Sequence, residues 1–256
     1  MKIGICGSAQ DISLLKEGTV DYAELNLTSL ANMSAEEWKE TKALLTSKCI
    51  SAEATNCFFP GDIKLCGAAM DLHVIREYTG QALHRAAELN IHTCVLGSGG
   101  ARKIEDGENA ADCQKQLDEV FYAVGDIAKE YETTVVIEPL NKGETNVINT
   151  VTEGAAMTRR VNHPNILLLA DIYHVEVEKE PLSVIYDHHD LLRHVHIANP
   201  AGRLFPKAGD GYDYEAVKQA LLKANYDLRI SIEGAPFGEW KESAEESLLF
   251  LKSIFQ

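Results

Sequence analysis

The sequence predicts an α/β protein of the (β/α)8 TIM-barrel class, built as a single domain over residues 1–256. Three observations predict it. Eight short, β-branched apolar runs alternate with longer amphipathic patterns. Successive strand ends are about one βα unit apart. No Pro/Gly-rich linker, low-complexity segment or break in composition divides the chain. An open doubly wound sheet is the alternative, but it usually has fewer strands at this length, and no G-x-G-x-x-G follows the first strand.

The strands are expected, in order, at KIGIC (2–6), YAELNL (22–27), KCISAEAT (48–55), HTCVLG (92–97), TVVIE (134–138), ILLLAD (166–171), RHVHIA (193–198) and RISIEG (229–234). The first connection, Ala9 to Thr19, is short. The capping-box-like SAEE opens a helix from Ser34 to Leu45. Helical periodicity recurs over Asp71 to Leu89, Ala110 to Tyr131, Thr150 to Arg160, Pro181 to Asp190, Asp213 to Ala224 and Glu239 to Ile254.

Composition narrows the function. The net charge of −15, from 39 acidic and 24 basic residues, repels phosphate backbones and argues against nucleic-acid binding. No apolar run approaches the roughly 20 residues of a membrane helix, and Met1 leads straight into a strand without a signal-peptide pattern, so no membrane association and a cytoplasmic location are expected. Six cysteines without a C-x-x-C pair read as reduced, mostly buried thiols.

In a barrel of this kind the C-terminal strand ends carry chemistry. The last four strands end on Glu138, Asp171, His196 and Glu233. Singly, each has a structural explanation as a cap, an ion-pair partner or a satisfied core histidine. Together they would converge at the rim, where three carboxylates repel one another unless a cation neutralises them. Such an oxygen-rich set with one imidazole suits Mn²⁺, with Mg²⁺ or Co²⁺ possible, and leaves two octahedral positions for vicinal oxygens of a hydroxy-ketone. A metal there would stabilise an enediolate. Two glutamates on opposite sides could then remove and return a proton, giving epimerisation, or isomerisation if the proton goes to the neighbouring carbon.

EPLNKGETNVINT (138–150), ADIYH (170–174), HVHIANPAGR (194–203) and SIEG (231–234) together resemble the sugar isomerase/epimerase superfamily of xylose-isomerase-like barrels, and the first motif resembles the ketose 3-epimerases of the tagatose or allulose type. The resemblance implies that Glu138, Asp171, His196 and Glu233 are metal ligands, with Glu138 and Glu233 also the acid/base pair. It further implies that His174 and Arg203 hold the substrate's carbonyl-side oxygen, that Glu144 binds a terminal hydroxyl, and that the protein is a homodimer or homotetramer acting on a sugar or sugar phosphate.

The first and fourth loops, where ketohexose epimerases place aromatic side chains, read ICGSA (5–9) and GSGGARKIEDG (97–107). Backbone N–H groups of Gly99 and Gly100 with Arg102 could instead bind a phosphate or carboxylate. Equally, the glycines could serve only a turn, with Arg102 paired to Glu105 or Asp106. His194, two residues before His196, is expected one layer deeper, and Glu24 is expected to be a buried hydrogen-bonding group. Other activities compatible with the same centre are inosose isomerisation or dehydration and related lyase chemistry such as C-glycoside deglycosylation. The superfamily's apurinic endonucleases would need more early histidines and a basic groove.

Overall fold

A computed structural model describes residues 1–256. Eight parallel strands close in sequence order into a barrel: β1 (Lys2–Cys6), β2 (Tyr22–Asn26), β3 (Ala52–Asn56), β4 (Thr93–Leu96), β5 (Thr134–Ile137), β6 (Ile166–Asp171), β7 (Leu192–Ile197) and β8 (Arg229–Ile232), with β8 paired to β1. The helices are α1 (Ala9–Ile12), α2 (Leu27–Asn32), α3 (Ala35–Ser47), α4 (Leu72–Glu88), α5 (Gly99–Arg102), α6 (Ala110–Glu130), α7 (Val151–Val161), α8 (Ile172–Val177), α9 (Ser183–Asp187), α10 (Tyr214–Lys223) and α11 (Trp240–Phe255).

All eight strands lie where the sequence predicts them. The third starts four residues later than expected, because residues 48–51 form the turn out of α3, with Cys49 at φ 53°. The predicted capping box is present: Ser34 accepts from the Glu37 backbone, and the Glu37 carboxylate accepts from the Ser34 backbone. The one-turn helices α1, α2, α5 and α8 lie in stretches for which no helix is predicted.

Strand alternation divides the apolar residues into two cores. Ile3, Ile5, Val135, Ile137, Leu168, Val195, Ile230 and Ile232 belong to the large cluster packed under the helices. Val95, Val136 and Leu169 form a small separate cluster inside the barrel. The rest of the interior is polar. The Tyr22 ring crosses it where a Cβ on Gly4 would collide with that ring, and the Tyr22 hydroxyl donates to Ser231 Oγ at 2.6 Å. An interior filled with hydrogen-bonding groups at this depth fixes what stands above it at the C-terminal rim.

Half of the cysteines depart from expectation. Cys66, Cys94 and Cys113 are buried, but Cys49 and Cys57 are exposed and Cys6 is half-buried, because the turns after α3 and β3 and the open end of β1 carry them outward. All six are free thiols.

Candidate metal and active site

Glu138 and Glu233 immediately follow β5 and β8, Asp171 ends β6, and His196 is the penultimate residue of β7. The barrel brings one donor atom from each within 4.8 Å of the others. The approach depends on Gly97 after β4, where any Cβ would collide with the Glu138 carboxylate. Asp171 also caps α8, its Oδ1 accepting the Tyr173 N–H at 2.8 Å, which turns Oδ2 toward the centre.

Below this ring lies a second layer. Glu24 accepts hydrogen bonds from His194 Nε2 at 2.7 Å, His196 Nε2 at 2.8 Å and Ser231 Oγ at 2.5 Å, and all four residues are fully buried. Sequence reasoning expects Glu24 and His194 to be buried and polar, and the structure shows that they converge on His196. With Nε2–H donated downward, His196 presents Nδ1 to the rim, 3.1 Å from Glu138 Oε1 and 3.3 Å from Glu233 Oε2.

The electrostatics are those of a site short of positive charge. Burial, together with the Glu233 and Glu138 carboxylates, pushes the Asp171 carboxyl up to about 8. Burial and Glu233 likewise raise Glu138. Burial also acts to raise Glu233, but His196 and Arg203 outweigh it and hold that carboxyl at about 2. Burial disfavours the imidazolium of His196, yet Glu24 and Glu233 outweigh that and raise it well above the ordinary histidine value. A divalent cation fits this donor set: three carboxylates that oppose one another, and an imidazole whose outward nitrogen bears a proton that a cation would replace.

Arg203 closes the ring from above. Its Nη2 donates to Glu233 Oε2 at 2.6 Å and Asp171 Oδ2 at 3.4 Å, its Nη1 to Glu144 Oε1 at 3.2 Å, and its guanidinium stacks 4.8 Å from the Tyr173 ring centre. Its backbone is left-handed, φ 51°, in the loop after β7. His174 is 2% exposed, and burial, reinforced by Arg203, lowers its imidazole to about 3.

Arg102 is a correction. Its side chain is fully buried, with Nη1 and Nη2 donating at 3.4 and 3.3 Å to the carbonyls of Leu96 and Ile148. It pairs with neither Glu105, whose partner is Lys64, nor Asp106, and it offers no exposed surface at the loop. The one-turn helix α5 carries Arg102, whose guanidinium feels the charges of Glu138 and Glu144. A Cβ at Gly99 would lie 3.0 Å from Leu140 Cδ1 and 3.1 Å from the Glu144 carbonyl, so close packing on the next loop accounts for that glycine.

Two amides stand beside the converging donors, one that the sequence shows as a polar residue at a strand end and one that sequence reasoning passed over. Asn56, at the end of β3, donates from Nδ2 to Glu233 Oε1 at 3.0 Å. Asn141, three residues after Glu138, contacts both His174 and Glu144. Their signal was a polar amide at or just past a strand end. A cavity of about 340 Å³ opens beside Glu233, lined by Cys6, Ser8, Asn26 and Asn56 with no aromatic side chain. A larger hollow of about 480 Å³, lined by residues of the α1–β2 and α3–β3 connections, includes none of the converging donors.

Comparison with known proteins agrees with the barrel fold. A family model described as a xylose isomerase-like TIM barrel matches residues 13–254. The 3-dehydro-D-guloside 4-epimerase of Escherichia coli is 28% identical over 184 residues, covering 71% of this chain and 68% of that one. The ketose 3-epimerase of Arthrobacter globiformis is 33% identical over 111 residues, 43% of this chain and 38% of that relative's length. The crystal structure of D-psicose 3-epimerase with D-tagatose from Clostridium cellulolyticum superimposes over the whole of both chains with a TM-score of 0.86, at 18% identity, a likeness of fold.

Proposed function

Because the chain belongs to the xylose isomerase-like TIM barrel family, we propose that it is a divalent-metal-dependent sugar epimerase that moves a proton at the carbon beside a ketone. The observation that carries this reading is the convergence of Glu138, Asp171, His196 and Glu233 within 4.8 Å, two of them glutamates from non-adjacent strands. These four residues would hold the cation, with Mn²⁺ the best match and Mg²⁺ or Co²⁺ suitable. When bound, the cation supplies Lewis-acid polarisation of the ketone and charge to offset an enediolate.

The chain's own residues do the rest. Glu138 and Glu233 act as the acid/base pair, one accepting the proton on its carboxylate and the other returning a proton to the opposite face. The His174 Nε2–H and the Arg203 guanidinium hold the carbonyl-side oxygen, and Glu144 accepts from a hydroxyl farther out. Arg203 is already engaged by three carboxylates, and no other lysine or arginine hydrogen-bonds to the Glu138, Glu144, Asp171 or Glu233 carboxylates. With Arg102 buried against backbone carbonyls, the rim has no spare cation for a phosphate, which favours an uncharged ketose as the substrate. The cavity beside Glu233 favours a second reading within the same chemistry, a keto-glycoside like that of the Escherichia coli relative, because its polar, unwalled lining leaves room beyond the reacting carbon.

The test is to incubate the Mn²⁺-loaded protein in D₂O with free ketoses, 3-keto-glycosides and ketose phosphates. Carbon-bound deuterium is expected in a neutral substrate and not in its phosphate. No deuterium in any of them sinks the proposal, and loss of water or aglycone by mass would replace epimerisation with elimination. Light scattering on the same preparation checks the homodimer or homotetramer that the family resemblance implies.

A further inference from the structure

In the loop after β5, every polar side-chain atom of Asn141 is committed. Oδ1 accepts the Gly143 N–H at 2.9 Å, while Nδ2 donates to Glu144 Oε1 at 3.0 Å and to His174 Nδ1 at 2.9 Å. Its backbone N–H also points at His174 Nδ1, at 3.2 Å. The amide has one workable orientation. Turned over, its oxygen would face the Glu144 carboxylate and its NH₂ would face the Gly143 N–H.

With two N–H donors aimed at it, His174 Nδ1 must present its lone pair, so the ring carries its proton on Nε2. That nitrogen is buried and finds no aligned acceptor in the protein, although Asp171 Oδ2 stands 3.4 Å away and Glu144 Oε1 3.9 Å away. A buried N–H with nothing to donate to is costly unless a ligand oxygen completes it.

The geometry points to Asn141 as a positioning residue that locks His174 as an Nε2–H donor to a substrate oxygen and steadies Glu144 with the same amide. Gly143 belongs to the device, because a Cβ there would lie 2.9 Å from Asn141 Oδ1. Aspartate at position 141 would reverse it, since a carboxylate beside Nδ1 attracts the ring proton instead of supplying one. Use of the donor rests on the epimerase reading, whereas the tautomer does not.

Long-range ¹H–¹⁵N NMR of the full chain loaded with diamagnetic Mg²⁺ reads the tautomer directly, the His174 signals being assigned by their absence in His174→Gln. The expected result is a neutral, Nε2-protonated ring in the wild type and transfer of the proton to Nδ1 in Asn141→Asp. That variant should lower kcat on the order of ten- to a hundred-fold with KM changed far less, because the oxygen gains charge in the transition state. Gly143→Ala should act in the same direction more weakly, which guards against an Asn141 variant that fails to fold. An Nδ1-protonated or doubly protonated His174 in the wild type overturns the lock. A folded Asn141→Asp that keeps the wild-type tautomer overturns the part assigned to Asn141. An Nε2–H ring in a protein that labels no sugar upholds the lock and sinks only the epimerase reading.

Discussion

His196 is where the two polar layers meet, since one ring nitrogen faces the converging carboxylates and the other is held by Glu24. Removing the Glu24 charge should therefore be felt at the rim although Glu24 is fully buried beneath it. For Glu24→Gln, calorimetric titration should show metal affinity about 10- to 100-fold weaker, and unchanged affinity would show that the lower layer does not orient the imidazole. The four rim donors were legible in the sequence because each interrupts an apolar run at a strand end. The partnership of Glu24 was not, because its histidines are more than 150 residues away in sequence and only closure of the barrel at β8 and β1 brings them together. The surroundings of Arg102 were not legible for a local reason: a single helical turn carries no periodicity by which to place the guanidinium.

Among the connecting elements, the segment between β7 and α10 holds Arg203 over the converging carboxylates with a left-handed backbone. Asp210 ties it together, accepting from the Lys207 and Tyr212 backbone at 3.0 and 3.1 Å and from the Tyr214 hydroxyl at 2.7 Å. Burial pushes the Asp210 carboxyl up, but these bonds outweigh it and hold it below the ordinary value. A depressed carboxyl contributes stability that is present above the unfolded value of about 3.9 and lost as pH falls through the folded one. Hydrogen exchange, corrected for its intrinsic pH dependence, should thus show residues 199–212 protected at about pH 6 and progressively loosened as pH falls below about 3.9. Equal protection throughout would mean that Asp210 does not organise the loop. The longer helices were legible from periodicity and capping, and the eight strands from their apolar runs; the one-turn helices were not, being too short to show a period.

At the scale of the whole molecule, a net charge of −15 combines with an uncompensated acidic centre, and both favour binding of a cation to the folded chain. Metal at about 100 times its dissociation constant adds about 2.7 kcal/mol, which for a chain of this size raises Tm by roughly 5–10 °C. Differential scanning calorimetry with Mn²⁺, Mg²⁺ or Co²⁺ should show this rise and a chelator should reverse it; a Tm indifferent to all three would contradict a metal centre. The polar column of Tyr22, Ser231, Glu24 and His194 inside the barrel has a consequence for how such a protein can diversify. Because His196 is braced from below by strand residues, the loops above are free to change length and character without dismantling that brace. Reaction and substrate preference are thus inherited in separable portions of the chain, and new specificities can arise by loop replacement over an unaltered engine.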